Sequence, residues 1–161
     1  MAFETAKAHL AQFGVAGRIQ EFSTSSATVE LAAQALGCTP CRIAKTLSFS
    51  LPDGVLLIVA AGDARIDNSK FRAVFHTKAK MLPANEVERA VGHAVGGVCP
   101  FGVNPGVSVY LDESLRRFDT VFPACGSENS AVELTLSELE QCSGSLGWVD
   151  VCKGYEETAL S

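Results

Sequence analysis

Apolar positions at Phe3, Ala6, Leu10 and Phe13 recur every three or four residues, the spacing of one helix face, and predict a first helix over residues 3–13 that stops at Gly14. A strand is expected over Arg18–Phe22. Ser25-Ser26-Ala27-Thr28 then offers hydroxyl caps to a helix over Val29–Leu36, and Gly37 supplies the left-handed residue that commonly ends one. Cys38 to Cys41 consequently fall in a connection.

Two strands follow, about Ala44–Ser50 and Val55–Ala61, and Pro52-Asp53-Gly54 between them is a turn signal that pairs them as an antiparallel hairpin. Asp67 can cap a helix running to about Phe75, with Phe71 and Phe75 on one face. A further helix is predicted over Ala84–Val91, closed by Gly92. Beyond the glycine-rich run from Gly92 to Gly106, short strands are expected at Val107–Leu111, Thr120–Pro123 and Ala131–Leu134. Thr135-Leu136-Ser137-Glu138 reads as a capping box for a helix to about Gln141, and Gly147–Val151 as a last strand. Strands and helices intermix without β-α alternation, and neither a repeat nor a linker divides the chain. The expected fold is therefore α+β in one domain spanning residues 1–161, with a mixed sheet rather than a doubly wound one.

One residue violates the pattern. In the strand Ile43-Ala44-Lys45-Thr46-Leu47, side chains alternate faces, so Lys45 points with Ile43 and Leu47. An ammonium in apolar company reaches solvent, or meets an anion or a carbonyl. A second irregularity is Gly96-Gly97-Val98-Cys99-Pro100-Phe101-Gly102. It has neither the G-x-x-x-x-G-K of a Walker loop nor the G-x-G-x-x-G of a dinucleotide site, so a nucleoside triphosphate is not the expected ligand. Its glycines let main-chain N–H groups approach a carbonyl or oxyanion, and Pro100 stiffens the turn that presents them.

Composition narrows the class. With 161 residues and 47% hydrophobic content the chain can bury a core without disulfides, so its six cysteines are expected as reduced thiols. The longest apolar run, Val55–Ala61, is too short to cross a bilayer, and Glu4, Lys7 and His9 interrupt any signal-peptide core; a soluble, cytoplasmic protein without a membrane partner is expected. Cys38-Thr39-Pro40-Cys41 has redox or zinc spacing, yet no second such pair exists and the motif follows a helix rather than opening one. Small apolar filling accounts better for the thiols, and neither metal nor cofactor is expected. A net charge of −5 argues against indiscriminate nucleic-acid binding, and DNA is not an expected partner. Lys70, Arg72, Lys78 and Lys80, with His76, nevertheless crowd into an acid-free segment suited to backbone phosphates.

The pattern of Thr28-Val29-Glu30 with Ala32-Ala33 and Ala35-Leu36-Gly37, then Ile43 to Leu47, then Gly62, Asp67 and Lys70-Phe71, then Gly96 to Gly102, resembles the YbaK/EbsC family from about Ser23 to Leu139. That family comprises free-standing relatives of the editing domain inserted in bacterial prolyl-tRNA synthetases. The resemblance implies a YbaK-like fold, a mainly antiparallel mixed sheet, partly barrel-like, with surrounding helices. It implies trans-editing, the hydrolysis of the ester that joins a wrong amino acid to tRNA. Mischarged tRNA is the implied partner, with prolyl-tRNA synthetase a possible second one. Alanine or cysteine on tRNA(Pro) is the substrate it favours. Carried over residue by residue, Lys45 and Gly96 fall on the catalytic positions. Thr46, Gly97, Val98, Cys99, Pro100, Gly102, Gly126 and Ser127 fall on the positions around the substrate. Two other classes stay open on sequence: a non-catalytic module that binds aminoacyl-tRNA or a synthetase, and a thiol or zinc protein built on Cys38 and Cys41. A nucleophilic Cys99 is disfavoured, since neither nearby His93 nor any Asp or Asn is demonstrably placed to activate its thiol.

Overall fold

The computed structural model describes residues 2–155. The chain begins with α1 (Ala2–Ala11), a 3-10 turn (Ala16–Arg18), β1 (Gln20–Glu21) and α2 (Val29–Leu36). A 3-10 turn (Pro40–Arg42) leads into the hairpin of β2 (Ile43–Leu51) and β3 (Gly54–Ala61), followed by β4 (Arg65–Ile66), α3 (Asn68–Phe75) and α4 (Ala84–Val91). After the glycine-rich segment come β5 (Val107–Asp112), a 3-10 helix (Glu113–Arg117), β6 (Thr120–Pro123), β7 (Ser130–Ala131) and β8 (Leu134–Thr135). The described residues end with α5 (Leu136–Ser143), β9 (Trp148–Val149) and β10 (Cys152–Lys153).

Six strands form one curled mixed sheet in the order β8-β6-β2-β3-β5-β9, the α+β class expected from sequence. β2 and β3 pair antiparallel from Ala44↔Ala61 to Leu51↔Gly54, as the Pro52-Asp53 turn dictates. The flanking pairs β2-β6, β3-β5 and β5-β9 are parallel. Parallel neighbours need long crossovers. The crossover between β3 and β5 carries α3, α4 and the glycine-rich loop, which is why that loop returns to the sheet beside β2. Leu56 to Ala61 of β3 are fully buried, so both faces of the sheet are covered at its centre.

Local chemistry fixes the helix ends. Thr28 Oγ1 accepts from the Leu31 N–H at 3.1 Å and Gly37 sits at φ 69°, closing α2 at both termini. Asp67 caps α3 through the Lys70 N–H, and Thr135 with Glu138 forms the expected reciprocal box on α5. Several strand expectations shrink. Arg18–Phe22 holds the last residue of a 3-10 turn and two strand residues, Ala131–Leu134 divides between β7 and β8, and Gly147–Val151 keeps only Trp148 and Val149. The segment Ala131–Leu134 serves two neighbours in turn, β7 pairing with β1 and β8 with β6, so it bends before a regular ladder can form.

Candidate functional site

A cavity of about 320 Å³ opens beside the middle of β2. Its first wall is β2 itself, from Ile43 to Ser48, with Thr28, Val29 and Ala32 of α2 and its cap above. Its second wall is Ala84 and Val87 of α4 with Val95, Gly96 and Val98 of the glycine-rich loop. Phe122, Ala124, Ser130 and Ala131 close one end. Met81 and Val95, 55% and 61% exposed, stand at the mouth.

On the first wall Lys45 meets carbonyls, one of the three fates expected for a cation among apolar neighbours. Its Nζ donates to the carbonyl oxygens of Gly62, at 3.3 Å, and Ala64. Burial lowers the affinity of this ammonium for its proton below the ordinary lysine value, while Cys152, Asp63 and Glu30 pull it partway back. The turn that supplies both carbonyls is itself anchored. Asp63, between them, receives a bidentate pair from Arg117 at 3.0 and 2.6 Å. Arg117 is 4% exposed in its side chain, donates from Nε to the Ser114 carbonyl at 2.8 Å, and lies over the rings of Phe118 and Tyr155. Ser114 in turn accepts from the Ala61 N–H through Oγ and donates its own N–H to buried Asp112, whose other oxygen takes the Val151 N–H. Gly62 is required here by space, since a methyl group at this position would come within 2.1 Å of the Pro40 carbonyl oxygen.

The second wall is held by main-chain packing. A methyl group on Gly97 would lie 2.7 Å from the Ser127 nitrogen and 2.8 Å from the Gly126 carbonyl carbon, so the loop and the Gly126-Ser127 segment approach as closely as two backbones can. Gly96 adopts φ 96° beside Ala27 and Glu128. Ser26 anchors the facing loop, donating its N–H and its hydroxyl to the Glu128 carbonyl at 2.5 and 3.2 Å. Ser127 Oγ bonds Asn129 and Ser130.

The predicted site residues therefore separate. Lys45, Thr46, Gly96 and Val98 share the cavity; Gly97, Gly126 and Ser127 lie immediately behind its loop wall. Cys99 and Pro100 turn into the core, and Gly102 packs on Thr5 of α1, outside the cavity lining. Cys99 does have a histidine beside it, with His93 Nε2 3.5 Å from its Sγ. Both are fully buried, the His93 Nε2–H is committed to the Phe101 carbonyl at 2.7 Å, and burial pushes the thiol up to about 12. A thiolate nucleophile is not formed there. Cys41, Cys125, Cys142 and Cys152 are buried and Cys38 is half-buried, and burial raises the Cys38 thiol above its ordinary value. Among the described residues no group of three or more His, Cys, Asp or Glu could hold a metal, and no helix is long and apolar enough to cross a membrane.

The basic segment is also divided. Lys70 is held by Asp150 at 3.0 Å and by the Cys152 carbonyl at 2.9 Å. Arg72 and Lys78 line a shallow depression with Asn68, Ser69 and Ala79, and Lys80 precedes Met81 at the cavity mouth. Sequence reasoning missed Asp63 and Arg117, whose 54-position separation follows no spacing rule, and the mouth residues Met81 and Val95.

Residues 24–142 match the aminoacyl-tRNA editing domain, and the chain belongs to that family. It is 55% identical over 157 residues to the uncharacterised protein YwhH of Bacillus subtilis (strain 168), covering 97% of this chain and all of that one. Over 101 residues it is 27% identical to a proline–tRNA ligase of Geobacillus sp. (strain WCH70), covering 62% of this chain and 18% of that enzyme. Among solved structures it superposes on a proposed trans-editing enzyme for prolyl-tRNA synthetase with a TM-score of 0.85, 28% identity, and 95% and 98% of the two chains covered. The hypothetical protein APE2540 follows at 0.76 and 29% identity, with 84% and 91% covered.

Proposed function

We propose that the cavity beside β2 hydrolyses the ester between a small mischarged amino acid and the 3′ end of tRNA, alanine or cysteine on tRNA(Pro) being the favoured substrate. The observation that carries this is the meeting of Lys45 and the Gly96 loop, distant in sequence, in the lining of one cavity of about 320 Å³. That size is at the low end for ligand pockets, suited to an acyl group and the adjoining ribose rather than to a whole nucleotide. The likeness to part of a proline–tRNA ligase supports the proline acceptor.

An aminoacyl ester is already activated, so registering water against its carbonyl supplies much of the acceleration without a nucleophilic side chain. Water adds to the carbonyl carbon, main-chain donors of the Gly96 loop and the Lys45 ammonium stabilise the oxyanion, and collapse breaks the acyl C–O bond to release the amino acid and the ribose hydroxyl. A cysteinyl substrate offers its own thiol as an alternative attacking group. Arg72, Lys78 and Lys80 are the proposed contacts to tRNA phosphates; Lys70, tied to Asp150, contributes least.

The test is a panel of alanyl-, cysteinyl-, seryl- and threonyl-tRNAs with wild type and Lys45→Ala. Turnover of at least one substrate, reduced about 10²- to 10³-fold by the variant, is expected. Equal turnover by both proteins removes Lys45 from the chemistry. Turnover of none favours a module that binds aminoacyl-tRNA without cleaving it.

A further inference from the structure

β2 is zipped along one side and interrupted on the other. Toward β3 the pairing is continuous from Ala44 to Leu51. On the opposite side β6 meets only Ile43 and Ala44. The segment before α4 meets only the far end, where the Leu82 N–H donates to the Ser48 carbonyl at 3.1 Å and the Ser50 N–H to the Lys80 carbonyl at 2.8 Å. Between these partners lie Lys45, Thr46 and Leu47, with no strand beside them on that side among the described residues. The cavity occupies this interruption, with Ala124 and Ala131 at one end and Met81 and Leu82 at the other.

Alternation decides which residue faces the gap. Successive residues of an extended strand aim their N–H and C=O at opposite edges. Ser48 and Ser50 aim theirs away from β3, so Thr46, two residues earlier, does the same, while Lys45 and Leu47 bond within the hairpin. Thr46 thus offers a main-chain donor and a main-chain acceptor to the cavity. Its side-chain Oγ1 is buried with no hydrogen-bond partner, so the groups Thr46 offers to the cavity are those of its main chain.

The occupant follows from size and charge. Ala44 to Ser48 is four residue steps, about 13 Å at ~3.3 Å each, so the stretch left open opposite Lys45, Thr46 and Leu47 is short, and within it only Thr46 turns its main-chain groups toward the gap. None of the described residues lining the cavity is Asp or Glu, so an incoming ammonium must be received by carbonyl or hydroxyl oxygen. An aminoacyl ester carries, along N–Cα–C=O, the donor and acceptor of a single strand residue. We infer that Thr46 binds the acyl group as a one-residue strand, its C=O accepting from the α-ammonium and its N–H donating to the ester carbonyl. Thr46 then selects α-amino acyl groups of any side chain, and the cavity walls do the rest. The inference rests on the deacylase reading of this cavity.

Amide hydrogen exchange measured by NMR tests it, with the alanyl amide of 3′-amino-3′-deoxyadenosine as a stable stand-in for the charged tRNA end. In the free protein the Thr46 amide is expected to exchange about tenfold or more faster than those of Lys45 and Leu47, and to slow about tenfold when the analogue saturates the site. The lactyl counterpart, with hydroxyl in place of ammonium, should bind about tenfold more weakly. A Thr46 amide already protected in the free protein, or one unmoved by the analogue while Gly96 to Val98 resonances shift, overturns this inference and leaves the deacylase reading standing. No shift anywhere at millimolar analogue defeats both.

Discussion

The two walls of the cavity are built by different physics. Lys45 is placed by charge and hydrogen bonds, through a turn whose central carboxylate is gripped by Arg117 and whose neighbours are tied to Ser114 and Asp112. The glycine wall is placed chiefly by close packing, with the Gly97 main chain lying against that of Gly126 and Ser127 while its N–H bonds the Ala94 carbonyl at 3.0 Å. A charge relay can tolerate small displacements because Coulomb energy changes gradually with distance. Two backbones at van der Waals contact tolerate none. The lysine wall should therefore fail by degrees and tune with pH, whereas the glycine wall should fail outright when a single methyl group is added.

Among residues that only position the site, Gly97→Ala is accordingly the largest expected effect. The added carbon has only main chain to displace, so the loop must move as a unit, costing about 1–3 kcal/mol of stability and on the order of 10²-fold in kcat/KM. Deacylation kinetics and denaturant unfolding of the same sample check it. Wild-type turnover by the variant would mean that the loop is not positioned by this contact.

The elements of these walls were unequally legible in the sequence. Val29–Leu36, Thr120–Pro123 and Ala84–Val91 match expectation residue for residue, because hydroxyl caps, closing glycines and hydrophobic periodicity act within a few positions. Lys45 and the glycine loop were recognisable as exceptions to their surroundings. The β4-β10 pair, two residues each from segments far apart in the chain, leaves no pattern to read. The Asp63–Arg117 clamp was invisible for a related reason: one acid and one arginine 54 positions apart become a pair only when the 3-10 helix after β5 brings Arg117 back over the turn. Unity of the Gly96 to Gly102 run was the misleading part. Its first three residues line or back the cavity, and its later ones belong to the core beneath α1.

The lysine wall gives the second effect. Asp63→Asn removes a negative charge that favours the Lys45 ammonium and loosens the turn holding it. Because burial has already lowered the folded value below 10.5, activity that needs the ammonium falls as pH rises through that lowered value, and Asp63→Asn should move this alkaline fall to still lower pH. The sign for stability is opposite. Between the lowered value and 10.5 the unfolded chain holds the proton that the folded one releases, so the folded state gains stability as pH rises. Background-corrected rate profiles of wild type and Asp63→Asn, with kcat reduced about tenfold at neutral pH, decide the matter. Coincident alkaline limbs would separate Asp63 from Lys45.

The smallest effect is expected at Cys99, and it divides the glycine loop where the walls divide the cavity. Cys99 lies among Gly96, Pro100 and His93, residues that invite a nucleophile reading, yet its thiol is fully buried and pushed up to about 12 by that burial. At neutral pH essentially none of it is thiolate. Cys99→Ala removes a small buried sulfur and leaves a void, so about 1–2 kcal/mol of stability should be lost, with kcat/KM within about twofold of wild type. Unfolding midpoint and deacylation rate are read on one preparation. Abolished turnover in a variant that remains folded would restore the thiol to the chemistry and merge the two halves of the loop into a single catalytic unit; a loss confined to stability assigns the first half to the substrate and the second to the fold.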